Sequence, residues 1–164
     1  MIAAIDTLLG EAMNDNVLNA EEIGAILGDA DFVAHQEEAE QLYGGSDDWQ
    51  EYQRRTASWS AADWQGNAEA FEQVEKNMIN AIRKGVSPDS GEAARLVALH
   101  RELLSEFFPV TPAKHYLISS SYIYDERFRS HYDSQFEGFA QWLASAIEHV
   151  ARRSGVDTDK PEWK

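Results

Sequence analysis

The sequence predicts an all-α domain, and three observations carry that prediction. Apolar residues recur at spacings of three and four along most of the chain. No stretch alternates apolar and polar residues over a useful strand length. Glycines and prolines fall between the periodic stretches, where helices would end or begin. A chain of 164 residues is a comfortable single domain, of a size that buries roughly 70% of its unfolded surface.

Ile2, Ile5, Leu9 and Ala12 alternate spacings of three and four over little more than one heptad. Asn19 with Glu22 reads as a capping box, and Gly28 suits the exit of the helix it opens. The next helix runs from about Phe32 to Tyr43 and stops at Gly44-Gly45. Ser46 starts another through Trp49 and Tyr52 toward Ala57, and Ser60 with Asp63 caps the one after. That long helix aligns Trp64, Ala68, Phe71, Val74, Met78 and Ile82 on one face and ends at Gly85. Ser87 as cap with Pro88 in the first turn opens a helix whose apolar stripe includes Leu96, Val97, His100, Leu103 and Phe107. Pro109 and Pro112 bracket a break. Thr111-Pro112 then opens a helix through Tyr124, and Asp125 caps a short one through Phe128. The last helix carries Phe136, Phe139, Leu143, Ile147 and Val150, ends at Gly155, and leaves residues 155–164 as a flexible tail onto which Trp163 could dock.

Charge and composition exclude several functions. The net charge is −15, and thirteen acidic residues precede the first basic one, Arg54. Nucleic-acid affinity rests on Lys and Arg displacing counterions, so this polypeptide is not itself a DNA-reading domain. With no cysteine there is no disulfide, thiolate metal site or thiol chemistry. The absence of a long apolar run or a basic-flanked signal gives a cytoplasmic reading. No HxxxH pair, Gly-rich phosphate loop or GxSxG elbow occurs, so neither a metal, a cofactor nor an enzymatic reaction is expected.

What stands out is the aromatic supply. Trp49, Tyr52, Trp59 and Trp64 fall close together, and Phe107, Phe108, Tyr116, Tyr122 and Tyr124 surround the proline break. Flat apolar walls with a few placed polar groups are the make-up of a small-molecule pocket. Trp64 and Phe71 read as core, whereas the residues beside Pro109 sit where helices part. His100 lies on an apolar stripe as a core histidine; His115, one turn into its helix, is a candidate pocket donor. Either histidine could serve a globin-like haem or gas sensor, and the acidic N-terminal half could dock a basic protein partner. Asp125 with Arg127, and Asp133 with a neighbouring base, read as caps and ion pairs rather than a catalytic pair.

Ten short pieces, in order from residue 43 to 151, resemble the TipAS antibiotic-recognition domain of MerR-type regulators. They are Tyr43-Gly44, Arg55-Thr56-Ala57, Ala62-Asp63-Trp64, Gly85 with Pro88-Asp89-Ser90, His100-Arg101 and Phe107-Phe108-Pro109. His115, Tyr122 with Asp125-Glu126-Arg127-Phe128, Tyr132-Asp133, and Trp142-Leu143 with Ala146-Ile147 complete them. The resemblance implies a globin-like helical fold without haem, whose cleft takes large apolar antibiotics such as thiopeptides. It further implies a winged helix-turn-helix that reads DNA outside this chain, and a dimerising coiled coil. Residues 1–18 would be the remnant of that coiled coil and 19–45 an acidic, mobile N-terminal helical lid. Residues 46–154 would be the ligand-binding domain, either as a regulator's effector half or a stand-alone form. The pocket would be lined by Phe107, Phe108, Val110, His115, Tyr122 and Tyr124, with Trp49 and Trp59 contributing from the lid. Where thiopeptide-binding members carry a cysteine that attacks the drug, this chain has Val110. Valine cannot add to an electrophile, so binding of a bulky, mostly apolar ligand, cationic or neutral, would be reversible.

Overall fold

The computed structural model describes residues 18–164; the coiled-coil remnant expected at the N-terminus falls almost wholly on residues outside them. The described residues are all-helical, without a strand. The helices are α1 Ala20–Leu27, α2 Phe32–Tyr43, α3 Asp47–Thr56, α4 Ala61–Arg83, α5 Gly91–Leu104, α6 Pro112–Tyr124, α7 Glu126–Asp133 and α8 Phe139–Arg153. Among them, none is long and apolar enough to cross a membrane. The chain divides into two compact units: a first one up to Ala70 with Glu106–Phe108, and a second of Phe71–Ser105 with Pro109–Lys164.

In the first unit, local side-chain chemistry sets each helix start. Asn19 accepts the Glu22 amide at 2.8 Å while the Glu22 carboxylate accepts the Asn19 amide at 3.0 Å, closing the expected capping box. Ser46 caps α3 through the Trp49 amide at 3.1 Å. Ser60 and Asp63 cap α4 reciprocally at 2.9 and 3.2 Å. Gly24 allows α1 and α2 to meet: a Cβ there would lie 2.8 Å from the Asp29 carbonyl oxygen and 2.9 Å from Phe32 Cβ. Phe32, at the start of α2, is buried.

The second unit is built around α8. Helices α5, α6 and α7 all pack on it, and α7 also packs on α6. Its buried face presents Phe139, Leu143, Ala146 and Ile147 at helical spacing, against Met78, Leu96 and Val97. Buried Ala140 and Ala146 are small enough to let neighbouring helices come close. The Trp142 indole N–H donates to the Val86 carbonyl at 3.0 Å, fixing the loop after α4.

Several element boundaries differ from the sequence reading, each for a local reason. The fifth helix does not start at Ser87. Ser87 accepts both the Ser90 amide (3.1 Å) and hydroxyl (2.6 Å), making Ser87–Ser90 a turn, and Ser90 becomes the cap of α5. Helix α7 runs on past Phe128 to Asp133. The last helix begins at Phe139, leaving Phe136 ahead of it. Its preceding residue, Gly138, has φ 87° and offers no side chain; the Ala140 amide instead donates to the Asp133 carboxylate at 2.9 Å. Asp133 is therefore the cap of α8 rather than an ion-pair partner. The tail after Gly155, expected to be loose, is tied at several points. Thr111 donates to the Lys164 carbonyl at 2.8 Å, Arg152 to the Thr158 hydroxyl at 3.0 Å, and Lys114 lies 5.4 Å from the Trp163 ring centre.

The start of α8 is directly testable. Gly138→Ala meets no atom within 4 Å, so its cost is the left-handed backbone alone, about 1–2 kcal/mol. Asp133→Ala removes the borrowed cap and should cost about 1 kcal/mol. Denaturant midpoints read both; an unchanged midpoint for Asp133→Ala would show that the cap does not hold the helix.

Candidate functional site

Three elements of the first unit bring their aromatic rings together. On α3, Trp49 and Tyr52 stand one turn apart with ring centres 5.1 Å apart. Trp59, in the short link to α4, meets Trp64 edge-on at 4.8 Å and Phe107 at 5.2 Å. Phe107 also touches Tyr52 at 5.8 Å and Trp64 at 6.0 Å, so it joins the two halves of the cluster. Phe32 closes the base against Trp64 at 6.1 Å. Trp64 is buried, whereas Trp49, Tyr52, Trp59 and Phe107 keep part of their surface in solvent. Tyr52 donates to the Gln36 side chain at 3.0 Å, tying α2 to the cluster. A groove of about 400 Å³ opens between α1 and α2, and Phe32 lines it as well as touching Trp64.

This apolar wall contains one unsatisfied donor. The Trp64 indole N–H is buried with no hydrogen-bond partner. A buried N–H left unmade costs about 1–3 kcal/mol. An acceptor on a bound molecule could take this donor only where the rings that enclose it part.

The second unit holds a different cluster. His100 on α5 and His115 on α6 are both buried and stacked at 5.1 Å, with His100 Nδ1 2.9 Å from His115 Nε2. His100 Nε2 faces the Tyr132 hydroxyl of α7 at 3.4 Å, and Tyr132 lies against Tyr122 at 4.9 Å. Burial pushes the His100 pKa down to about 4. Burial, then the neighbouring His100 and the Arg101 charge, hold His115 well below its ordinary value. Both rings are therefore neutral at pH 7. Tyr122 and Tyr132 are pushed up by burial and stay protonated. Nearby, half-exposed His131 is raised by its 3.1 Å hydrogen bond to the buried Glu75 carboxylate.

The expected site residues separate accordingly. Trp49, Trp59 and Phe107 come together in the first unit, which also contains Phe108. Val110 is buried in the second unit, its amide accepted by Ser105 Oγ at 3.2 Å. His115 and Tyr122 are part of a buried network. Tyr124, expected on the pocket wall, is 87% exposed at the last position of α6, because its face of that helix turns away from the core. Helical spacing had assigned Trp64 to the core alone, and nothing in the sequence signals its unpaired N–H. The pairing of His100 with His115 was equally invisible, since it joins two helices. Haem ligation does not fit these histidines: His100 uses both ring nitrogens within the protein, and the remaining His115 nitrogen lies under the influence of the Arg101 cation. Among the described residues no group of three or more potential metal ligands occurs.

Comparison with known proteins places this architecture. The family model of the TipAS antibiotic-recognition domain matches residues 35–150. The HTH-type transcriptional activator TipA of Streptomyces coelicolor is 24% identical over 148 residues, and the HTH-type transcriptional activator mta of Bacillus subtilis is 28% identical over 152. Each match covers 90% of this chain but only 58% of the relative's length. A solved structure of Streptomyces lividans TipAS in complex with nosiheptide, from a thiopeptide antibiotic multidrug resistance system, superposes with a TM-score of 0.74. It is 25% identical, and the match covers 84% of this chain and 96% of that one.

The histidines predict the acid limb of stability. His100 and His115 have folded pKa values below the ordinary 6.5, so as pH falls through 6.5 the unfolded chain binds protons that the native state refuses. Stability should therefore fall between pH 6.5 and about 4, with a slope approaching two protons. His131 acts oppositely: its contribution is full below 6.5 and lost as pH rises through its raised folded value. Urea unfolding from pH 5 to 8 checks both, with His131→Gln removing only the alkaline decline. A profile flat between pH 5 and 6.5 would show that the buried pair takes up protons freely.

Proposed function

This chain belongs to the family of TipAS antibiotic-recognition domains, and from that premise we propose that it is the effector-binding domain of a MerR-type transcription regulator. It binds bulky, mostly apolar small-molecule or peptide antibiotics reversibly and catalyses no reaction. The observation that carries this reading is the partly exposed aromatic cluster of Trp49, Tyr52, Trp59 and Phe107 over the unpaired Trp64 N–H. Such a surface gives large contact area at low cost in side-chain entropy, with one directional donor to orient the ligand. Phe108, next in sequence to Phe107, belongs to the same unit and extends the proposed wall.

The remaining parts of the activity follow from chemistry the chain lacks. Val110 and the absence of any cysteine leave no thiol to trap an electrophilic drug. Reading DNA falls to a winged helix-turn-helix outside this sequence, because an excess of 29 acidic over 14 basic residues repels a phosphate backbone. Helices α1 and α2 act as the lid, held to the cluster by Phe32 and Gln36.

Titration of the tryptophan fluorescence with nosiheptide and a panel of other hydrophobic antibiotics tests this. A saturable response that reverses on dilution, with no mass added to the protein, is expected. Trp64→Phe deletes the N–H together with one of the two fused rings, so it should weaken a carbonyl-bearing ligand by at least about three- to tenfold, one neutral hydrogen bond's worth. The unliganded protein should lose about 1–3 kcal/mol of stability, because the smaller ring leaves a void in the packed cluster. Affinity unchanged by the joint Trp59→Ala and Phe107→Ala replacement would remove the site from this cluster.

A further inference from the structure

Charge is divided between the two units very unevenly. The first carries sixteen acidic residues against two basic ones, and the second carries thirteen against twelve. Nearly all of the net charge of −15 therefore belongs to the unit that holds the aromatic cluster. The two bases of that unit, Arg54 and Arg55, both donate to the Glu51 carboxylate at 2.6 Å, which compensates their charge within α3. Cations do stand over rings elsewhere: Arg83 over Phe136, Lys114 over Trp163 and Arg127 over Phe128, all in the second unit. Among the described residues, no such cation covers Trp49, Tyr52, Trp59 or Phe107, and these rings keep part of their surface in solvent.

One carboxylate is anchored at the cluster itself. Glu106 immediately precedes Phe107, and its Oε1 accepts from the Asn67 side-chain amide at 2.8 Å. Asn67 is buried on α4 one turn after Trp64, and Trp64 meets Phe107 at 6.0 Å. Two residues on one face of α4 thus hold two consecutive residues, one by its amide and one by its ring. The anchor is a neutral group, so it fixes the carboxylate without cancelling its charge, and the Glu106 side chain is exposed. The groove of about 400 Å³ between α1 and α2 has the same character. Its charged lining residues are Glu21 and Asp29, and Phe32 on its wall touches Trp64.

We propose that the aromatic cluster is a site for lipophilic cations, and that Glu106 is the counter-charge that selects them over neutral or anionic molecules of the same shape. This inference rests on the reading of the cluster as the ligand site and adds the charge class of what it takes. Three terms act in the same direction. The face of an aromatic ring carries negative potential and attracts a cation lying within about 6 Å of its centre. The field of an acidic unit raises the local concentration of cations and repels anions. The anchored carboxylate adds a point charge at a fixed place beside Phe107. A phosphonium or quaternary ammonium with aromatic arms meets all three, since its charge is weakly hydrated and its arms lie against Trp59 and Phe107. A small hydrated cation gains nothing from the rings, and an anion of equal size meets each term with the opposite sign.

The experiment is isothermal titration calorimetry of the full chain with tetraphenylphosphonium chloride and with sodium tetraphenylborate, ions of one shape and opposite charge. Tetraphenylphosphonium should bind at least about tenfold more tightly at low salt, and the gap should narrow as added salt screens it. Glu106→Gln keeps an oxygen for the Asn67 amide and removes the charge. It should weaken tetraphenylphosphonium about three- to tenfold without weakening tetraphenylborate. Equal binding of the two ions, or a Glu106→Gln protein with the parent's preference, would overturn the cation selection and leave the cluster as a site for apolar molecules. Cation binding that survives the joint Trp59→Ala and Phe107→Ala replacement would overturn it as well, by placing the ion elsewhere on the acidic surface. Failure of tetraphenylphosphonium to bind at all overturns this inference alone, because the nosiheptide titration judges the aromatic site independently.

Discussion

Two neutral imidazoles locked face to face set the terms for the second unit. With His100 Nδ1 2.9 Å from His115 Nε2, helices α5 and α6 have one relative position in which both rings are satisfied. Tyr132 extends the bond chain to α7, and the Phe71 ring of α4 sits edge-on to His100 at 5.6 Å. Four helices thus converge on a polar knot inside an apolar core. A hydrophobic core of leucines and alanines tolerates small shifts of register. A buried hydrogen-bonded pair does not, because each displaced ring would strand a nitrogen away from water.

The first unit is organised by the opposite chemistry. Its rings meet at angles from 36° to 81°, a mixture of tilted and edge-on contacts without parallel stacking. Such contacts are only weakly directional, so this wall can rearrange its rings around different scaffolds more easily than the histidine knot can move. A pliant aromatic surface is consistent with the varied apolar ligands proposed above, and a sequence without cysteine provides no covalent selection among them.

How much of this was legible in the sequence depends on the range of the interaction. Caps act within three residues, and Asn19–Glu22, Ser60–Asp63 and Thr111–Pro112 were read directly. Where two capping residues compete within four positions, as Ser87 and Ser90 do, the choice depends on a turn that residue types alone do not reveal. Asp133 capping Ala140 lay beyond the span of any local motif. Trp49, Trp59 and Phe107 were read as ligand-wall residues from type and clustering, and they do meet. Tyr124, assigned to the wall by the same reasoning, is exposed because burial of a helix face is set by what packs on it, and here only Ile123 separates buried Tyr122 from exposed Tyr124. The unpaired nitrogens of Trp64, Arg101 and His115 were beyond reach for a further reason: what marks them is a missing neighbour.

Trp59 and Trp64 stand 4.8 Å apart with their planes crossed at 70°. Indoles that close share their electronic excitation, and the crossed orientation makes the shared transition chiral. The far-ultraviolet circular dichroism of this protein therefore contains an exciton couplet superimposed on the helical bands, and helix content taken from band intensity alone would be in error. The same couplet is an optical gauge of one half of the molecule. Both indoles belong to the first unit, so anything that parts them extinguishes a signal to which the helices of the second unit are blind.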